Sequence, residues 1–339
     1  MWLDNPIMDD LDDELLENAQ NARPKKRESN VVMFWSKYDN EQNLEEWLQK
    51  EIQLNEFHKF TLLSQLLNND DVFLYTYQNI TNVPATLLKK VNVEWAGKIF
   101  DEESAFRSLQ MGHSIAHISD IVRIRASTLL NGIITDMDMV SLRPLPEKEF
   151  FFTTIPAKQT GAMAIQFKEN NPPFVIHDNS WNGKALSNFP TKVGESMSYV
   201  FLQLANKIEN QLAKPPTTSS KAWNYIMWSL KDISNSLDES YVYPPLYFGP
   251  IPAWKGANKC YSLDYPTKFD GNTELFGYKL PSIESILQNS FYVAHYFESA
   301  FKGSGEYQNI WDNVKSGSLL HAELNYVLGY DWKNILNGH

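Results

Sequence analysis

The chain has 339 residues, 43% hydrophobic and 21% charged, the balance of a globular protein with a sizeable core and not of a disordered one. Its net charge of −11 argues against a nucleic-acid surface as the main partner. The single cysteine, Cys260, rules out a disulfide framework within the chain and fits a reducing compartment.

Residues 1–29 read as an acidic tail, with Asp4, Asp9, Asp10, Asp12, Asp13 and Glu14 giving the reverse of a signal peptide, and close on Pro24-Lys25-Lys26-Arg27. Val31-Val32-Met33-Phe34-Trp35 is an apolar run bounded by polar residues and predicts a buried first strand. Leu44, Trp47, Leu48, Ile52, Leu62, Leu63 and Leu66 predict a helix over Asn43–Leu67, with no proline to interrupt it. Asp71–Tyr77 alternates and is rich in aromatics, as a second strand would be. A short helix over Pro84–Lys90, a short strand at Val91-Asn92-Val93 and a loop and helix over Glu102–Ile118 follow. Strands alternating with helices argue for a mostly parallel, doubly wound α/β sheet.

The most informative stretch is Ser119–Leu142. Ser119 reads as a helix N-cap with Asp120 in the first turn, and Ile121, Ile124, Thr128 and Leu129 recur at helical spacing. Asn131-Gly132 supplies a left-handed stop, and Ile133-Ile134-Thr135 a short buried strand. Asp136-Met137-Asp138 then leaves that strand at its carboxyl end, where open α/β sheets place ligands. Two such carboxylates offer hard oxygen ligands to a divalent cation, with Met137 pointing away from both. Asp120 and Arg123, three apart, project from one helix face and suit the hydroxyls of a sugar. As a bland alternative, the two form a surface ion pair and the aspartates an ordinary turn.

Beyond Leu142, strands are expected at Phe150–Thr154 and Gly161–Ile165, and helices at Lys192–Lys214 and Ala222–Leu237. An extended Pro-rich aromatic segment follows at Tyr243–Pro250, and a terminal helix over His321–His339. Cys260 has no histidine near it in sequence and reads as a small buried apolar residue. Arg143, Lys148 and Lys184 are cations of the right sign for phosphate, with no role assigned to any. No stretch approaches the length of a membrane span.

Ser119-Asp120-Ile121-Val122-Arg123, Asn131-Gly132, Ile133-Ile134-Thr135 and Asp136-Met137-Asp138 together resemble the DXD-containing glycosyltransferases. These are the glycosyltransferase family 32-like capsular-polysaccharide synthesis proteins, the yeast-type initiating mannosyltransferases and, more distantly, the clostridial toxin glucosyltransferase domains. The family usually has Gly-Gly and an aromatic before the first Asp, where this chain has Asn131-Gly132 and Ile134. The Ser-Asp-x-x-Arg element sixteen residues ahead of Asp136 makes the Asp-x-Asp specific.

The resemblance implies a GT-A-type, Rossmann-like nucleotide-binding sheet with additional helices. It implies one domain over 30–339, with 30–150 holding the nucleotide sugar and 151–339 supplying the acceptor side and a closing loop. The implied activity is metal-dependent, retaining transfer of a sugar from a nucleoside diphosphate sugar, UDP favoured over GDP, to a hydroxyl of an unnamed acceptor. Asp120, Arg123, Asp136 and Asp138 would be catalytic. Trp35 would contact the base, Ser119 the base or ribose, Asp120, Arg123 and Asp136 the donor, and Asp136 and Asp138 the metal, Mn²⁺ or Mg²⁺, with Asp138 its direct ligand. Ala294–Phe301 is similar to the family's closing loop, so His295 would complete or support the metal shell, with Ser299 on a phosphate and Glu298 in reserve. Against the metal role, His295 reads as a core histidine on an ordinary helix. Without the membrane anchor of Golgi relatives, the expected setting is cytoplasmic, bacterial or viral, or the host cytosol for an injected effector.

Two rivals come from other classes. Ile134-Thr135-Asp136-Met137-Asp138 also fits a haloacid-dehalogenase-type phosphatase, with Asp136 as nucleophile and Asp138 as general acid. That fold normally opens with this strand, whereas some 135 residues precede it here. The other rival is a non-catalytic carbohydrate-binding protein, for which ten Trp and sixteen Tyr offer stacking surfaces.

Overall fold

The computed structural model describes residues 27–83, 85–145, 151–154, 160–166, 196–216, 242–250, 274–275, 278–295 and 314–329. In chain order its elements begin with strand β1 (Arg27–Phe34), helices α1 (Leu44–Gln49) and α2 (Glu56–Asn68), and strand β2 (Asn69–Thr76). Then come α3 (Ala85–Leu88), β3 (Val91–Trp95), α4 (Glu102–Gln110), α5 (Ile115–Leu129), β4 (Ile133–Ile134) and β5 (Met139–Ser141). The second half contributes β6 (Phe151–Thr154), β7 (Thr160–Gln166), α6 (Met197–Leu212), β8 (Val242–Tyr243) and α7 (Pro245–Phe248). Last are β9 (Glu274–Leu275), β10 (Tyr278–Lys279), α8 (Ile283–Asn289), β11 (Tyr292–Ala294) and α9 (Leu319–Leu328).

Seven strands form one sheet in the order β3-β2-β1-β4-β7-β6-β8. The first four are parallel, with Val31 opposite both Val72 and Ile133, and β7 joins β4 antiparallel. The parallel part is flanked by helices, so the fold is mixed α/β, compatible with the expected Rossmann-like sheet. β1 is central, and Val31, Val32 and Met33 are wholly buried. Its alternation feeds two cores, as a pleated strand must when both faces are covered. Val31 and Met33 join α2, β5, β11 and α9, while Val32 and Phe34 join α4, α5 and α6. No helix among the described residues is long and apolar enough to cross a membrane.

Several elements differ from the pattern read off the sequence. β1 begins at Arg27, inside the stretch assigned to the tail. The single helix expected over Asn43–Leu67 is two helices. Ile52 leaves helical geometry to bridge Ile80, and the Asn55 side chain caps the second helix by accepting from the His58 amide. The Pro-rich segment is not extended throughout. Pro245 opens a short helix, where its fixed φ suits a first turn. The terminal helix starts at Leu319 and stops at Gly329, whose φ of 89° is left-handed. The tail up to Lys26, Lys148, Lys184, Cys260, the expected helix at 222–237 and residues 330–339 lie outside the described residues.

Arg143 is accounted for by the fold. Its guanidinium donates to the carbonyls of Leu287, Gln288 and Ser290 and so caps the end of α8, which removes it from the phosphate candidates.

Candidate functional site

The strand order places a topological switch between β1 and β4. β1 continues to β2 on one side, and β4 lies on the other after three intervening crossovers. Ligands of open α/β sheets bind in the crevice at the carboxyl ends of such a strand pair. Trp35 follows β1 at that edge, and Thr135 and Asp136 follow β4, with the Thr135 amide donating to Val32 O at 3.1 Å.

The turn into β4 is as the sequence predicts. Asn131 is left-handed at φ 50°, and the Asn30 side chain donates to Leu130 O at 2.6 Å. Gly132 is needed for proximity: a Cβ there would lie 2.8 Å from Asn30 O, so any larger residue would push β4 off β1. The start of the helix differs. Ser114, not Ser119, is the N-cap, accepting from the Ala116 amide at 3.2 Å, because Ile118 extends the buried stripe one turn further back. Ser119 and Asp120 therefore stand inside α5, and the helix end contributes little to Asp120.

What holds Asp120 is Arg123. The guanidinium is buried, donating from Nη2 to Asp120 at 2.9 Å and from Nη1 to Asp136 and to Thr135 O, the last at 3.1 Å. Its Nε reaches Ser119 O at 3.4 Å. So four of the predicted residues meet in one cluster: Ser119, Asp120, Arg123 and Asp136. The Asp120 and Asp136 side chains stay 26% and 39% exposed, while that of Arg123 is 8% exposed. The acids keep surface open to solvent and the cation stands behind them. Burial pushes the Asp120 carboxyl up to about 6, against the pull of Arg123 and with the Asp136 charge adding to the rise.

Asp138 is half-buried and lies two residues further on. Met137 between the two acids is buried in the core, as expected. β5 belongs to no large sheet, and its backbone is held instead by a polar stripe on α2. Thr61 Oγ1 donates to Met137 O at 2.7 Å, sharing its one proton with His58 O at 2.9 Å. Gln65 Nε2 donates to Met139 O at 3.0 Å, Asn68 Nδ2 to Ser141 O at 2.9 Å, and the Ser141 amide to Ser64 Oγ at 2.9 Å. All four side chains are buried. They replace the strand partner that this segment lacks on that side. Sequence reading passed over them, although polar residues at 61, 64, 65 and 68 among leucines form a visible helical stripe. Thr61→Val is expected to cost about 1–2 kcal/mol by leaving Met137 O short of a donor in the core. Urea unfolding checks this: Thr61→Ser should recover the loss, and a Val variant as stable as wild type would show the bond to be idle.

Trp35 is half-buried, edge-on to the His58 ring at 4.2 Å, with Lys37 Nζ 5.7 Å from its ring centre. Its indole N–H is buried and has no hydrogen-bond partner among the described residues. Burial pushes His58 down to about 3, with Lys37 adding to the effect, so its imidazole is neutral at ordinary pH.

His295 reaches the Asp-x-Asp loop by its backbone. β11 pairs antiparallel with β5, setting Ala294 opposite Met139, and the His295 amide donates to Asp138 O at 3.0 Å. The imidazole turns the other way, wholly buried, with Nε2 2.6 Å from Glu323 and the ring edge against Phe57. Among the described residues no three of His, Cys, Asp and Glu are arranged to hold one ion. Asp136, Asp138 and His295 therefore do not make a three-donor centre. The position is the core setting weighed above, at a strand end instead of on a helix. Glu298 and Ser299 lie outside the described residues.

The donor chemistry that remains is two half-exposed carboxylates on one rigid turn. It fits a divalent cation shared with a ligand's oxygens and water, and not one caged by protein alone. No protein-family model matches the chain, and comparison with curated proteins gives no match.

Proposed function

We propose that the chain is a metal-dependent retaining glycosyltransferase of the GT-A type, moving a sugar from a nucleoside diphosphate sugar, UDP favoured over GDP, to an acceptor hydroxyl. The observation that carries this reading is the cluster of two partly exposed acids, Asp120 and Asp136, on the buried Arg123 guanidinium at the switch point, with Asp138 two residues on. Asp120 and Asp136 keep exposed surface from which their oxygens would accept from sugar and ribose hydroxyls, and Arg123 fixes both in place. Asp138 has its carbonyl held by the His295 amide, with the carbonyls of its neighbours Met137 and Met139 held by α2, and would offer its carboxylate to Mn²⁺ or Mg²⁺. Such a cation, when bound, neutralises the departing diphosphate. Trp35 lies half-buried at the end of β1, where a base would stack on its ring.

The phosphatase alternative is weaker on the same geometry. An aspartate gripped by a buried guanidinium is poorly placed to act as a nucleophile on phosphate.

The test is a thermal-shift screen of UDP- and GDP-sugars with Mn²⁺. A ligand at about a hundred times its Kd adds about 2.7 kcal/mol to the folded state. A metal-dependent rise with one nucleotide class, followed by release of that nucleoside diphosphate, supports the reading. No shift with any of them, or Mg²⁺-dependent cleavage of a generic phosphoester in its place, overturns it.

A further inference from the structure

Helix α9 buries Leu319, Leu320, Glu323, Leu324 and Val327, so a glutamate occupies the middle of an apolar stripe. Glu323 is wholly buried. One carboxylate oxygen is 2.6 Å from His295 Nε2, and the other has no hydrogen-bond partner among the described residues. Packing does not ask for this residue. A leucine would fill the stripe without stripping a carboxylate of its water and leaving one oxygen unpaired. What Glu323 adds is a fixed orientation for the imidazole, and His295 is one bond from the site. Its main-chain N–H holds Asp138 O at 3.0 Å, at the point where β11 runs out along β5. Since β5 and β11 form a sheet of their own, the large sheet fixes this loop only at its β4 end, where the Thr135 amide donates to Val32 O, and the Asp138 end is set by α2 and β11.

We propose that Glu323 is a positioning residue for Asp138, acting through His295. The C-terminal helix thereby becomes part of the candidate metal loop from behind. The inference rests on the reading above that Asp138 binds the cation of a nucleotide-sugar donor. The arrangement is that of a carboxylate and histidine supporting a metal site from its outer shell, with the link to the loop made by backbone instead of by the ring.

The experiment uses the full chain and two readouts. Amide exchange at His295 reports the bond to Asp138 directly, and Mn²⁺ titration by water-proton relaxation, with UDP and with GDP, reports the loop's use. Glu323→Leu should speed exchange at His295 about tenfold while Val32 and Met33 in β1 keep their protection, and should weaken Mn²⁺ binding with nucleotide about tenfold. Glu323→Gln, which still accepts from Nε2, should restore both to within about threefold of wild type. A Glu323→Leu protein whose His295 amide exchanges as in wild type overturns the proposal. Should that variant fail to fold, ¹⁵N spectra of the wild-type imidazole decide: a proton on Nε2 supports the arrangement, and its absence there overturns it. If wild type binds no Mn²⁺ with either nucleotide, the donor reading falls, whereas the exchange result still decides Glu323.

Discussion

Arg123→Met is expected to destabilise the protein by about 2–4 kcal/mol and to do so more at pH 8 than at pH 5. Removing one partner of a buried ion pair costs about 3–5 kcal/mol, and the two acids here are partly exposed, which lowers that figure. The substitution leaves Asp120 and Asp136 facing each other without the cation that now bridges them. The pH dependence follows from Asp120. Its folded carboxyl is raised to about 6, mainly by burial, so the folded state holds that proton more tightly than the unfolded chain. The resulting contribution to stability is complete below the unfolded value near 4 and is lost as pH rises through about 6. Without Arg123 the carboxyl rises further, and the loss at alkaline pH grows. Urea unfolding at the two pH values measures this. Equal destabilisation at both would mean that the substitution had left only a packing defect and that the three charges are not coupled. Arg123→Lys is expected to recover part of the stability and little of the activity, since one ammonium cannot bridge both carboxylates and the Thr135 carbonyl.

Much of this cluster was legible in the sequence because its causes are local. The run from Val31, the Asn131-Gly132 turn, the short Ile133-Ile134 strand and the two acids after it are each dictated by residues next to one another. The i, i+3 spacing of Asp120 and Arg123 put them on one face, where they are found. What escaped depended on distant parts of the chain. Ser114 and Ser119 are equally good caps locally, and it is the burial of Ile118 that chooses between them. The break between α1 and α2 comes from Ile52 meeting Ile80, 28 residues on. Two features had visible but unread signals: the polar stripe on α2, and Glu323 at an apolar position of α9. Helical periodicity of apolar residues alone does not mark either, since each is a polar residue at a buried helix position. The expected metal role of His295 does not follow from its position: its ring faces Glu323, 28 positions later, and only its backbone amide reaches Asp138 O.

Asp138→Asn is expected to lower sugar transfer by about 10²–10³-fold, the scale seen when one preorganised electrostatic group is removed from a reacting centre. Its stability without ligand should fall by at most about 1 kcal/mol, the scale of a half-exposed polar contact, because the Asp138 carbonyl, not its carboxylate, makes the bond to His295. Asp136→Asn should behave differently. It breaks the ion pair to Arg123, so it should lower both stability and activity. On the proposed reading this contrast distinguishes the two acids of the motif, with Asp136 held by Arg123 to meet the donor and Asp138 left to meet the cation. Nucleoside diphosphate release at matched Mn²⁺, with a melt of each variant, measures both quantities. Raising Mn²⁺ should recover part of the activity of Asp138→Asn and none of that of Asp136→Asn. An Asp138→Asn protein that turns over at the wild-type rate would remove Asp138 from the metal site, and with it the strongest reason to read the loop as a donor site.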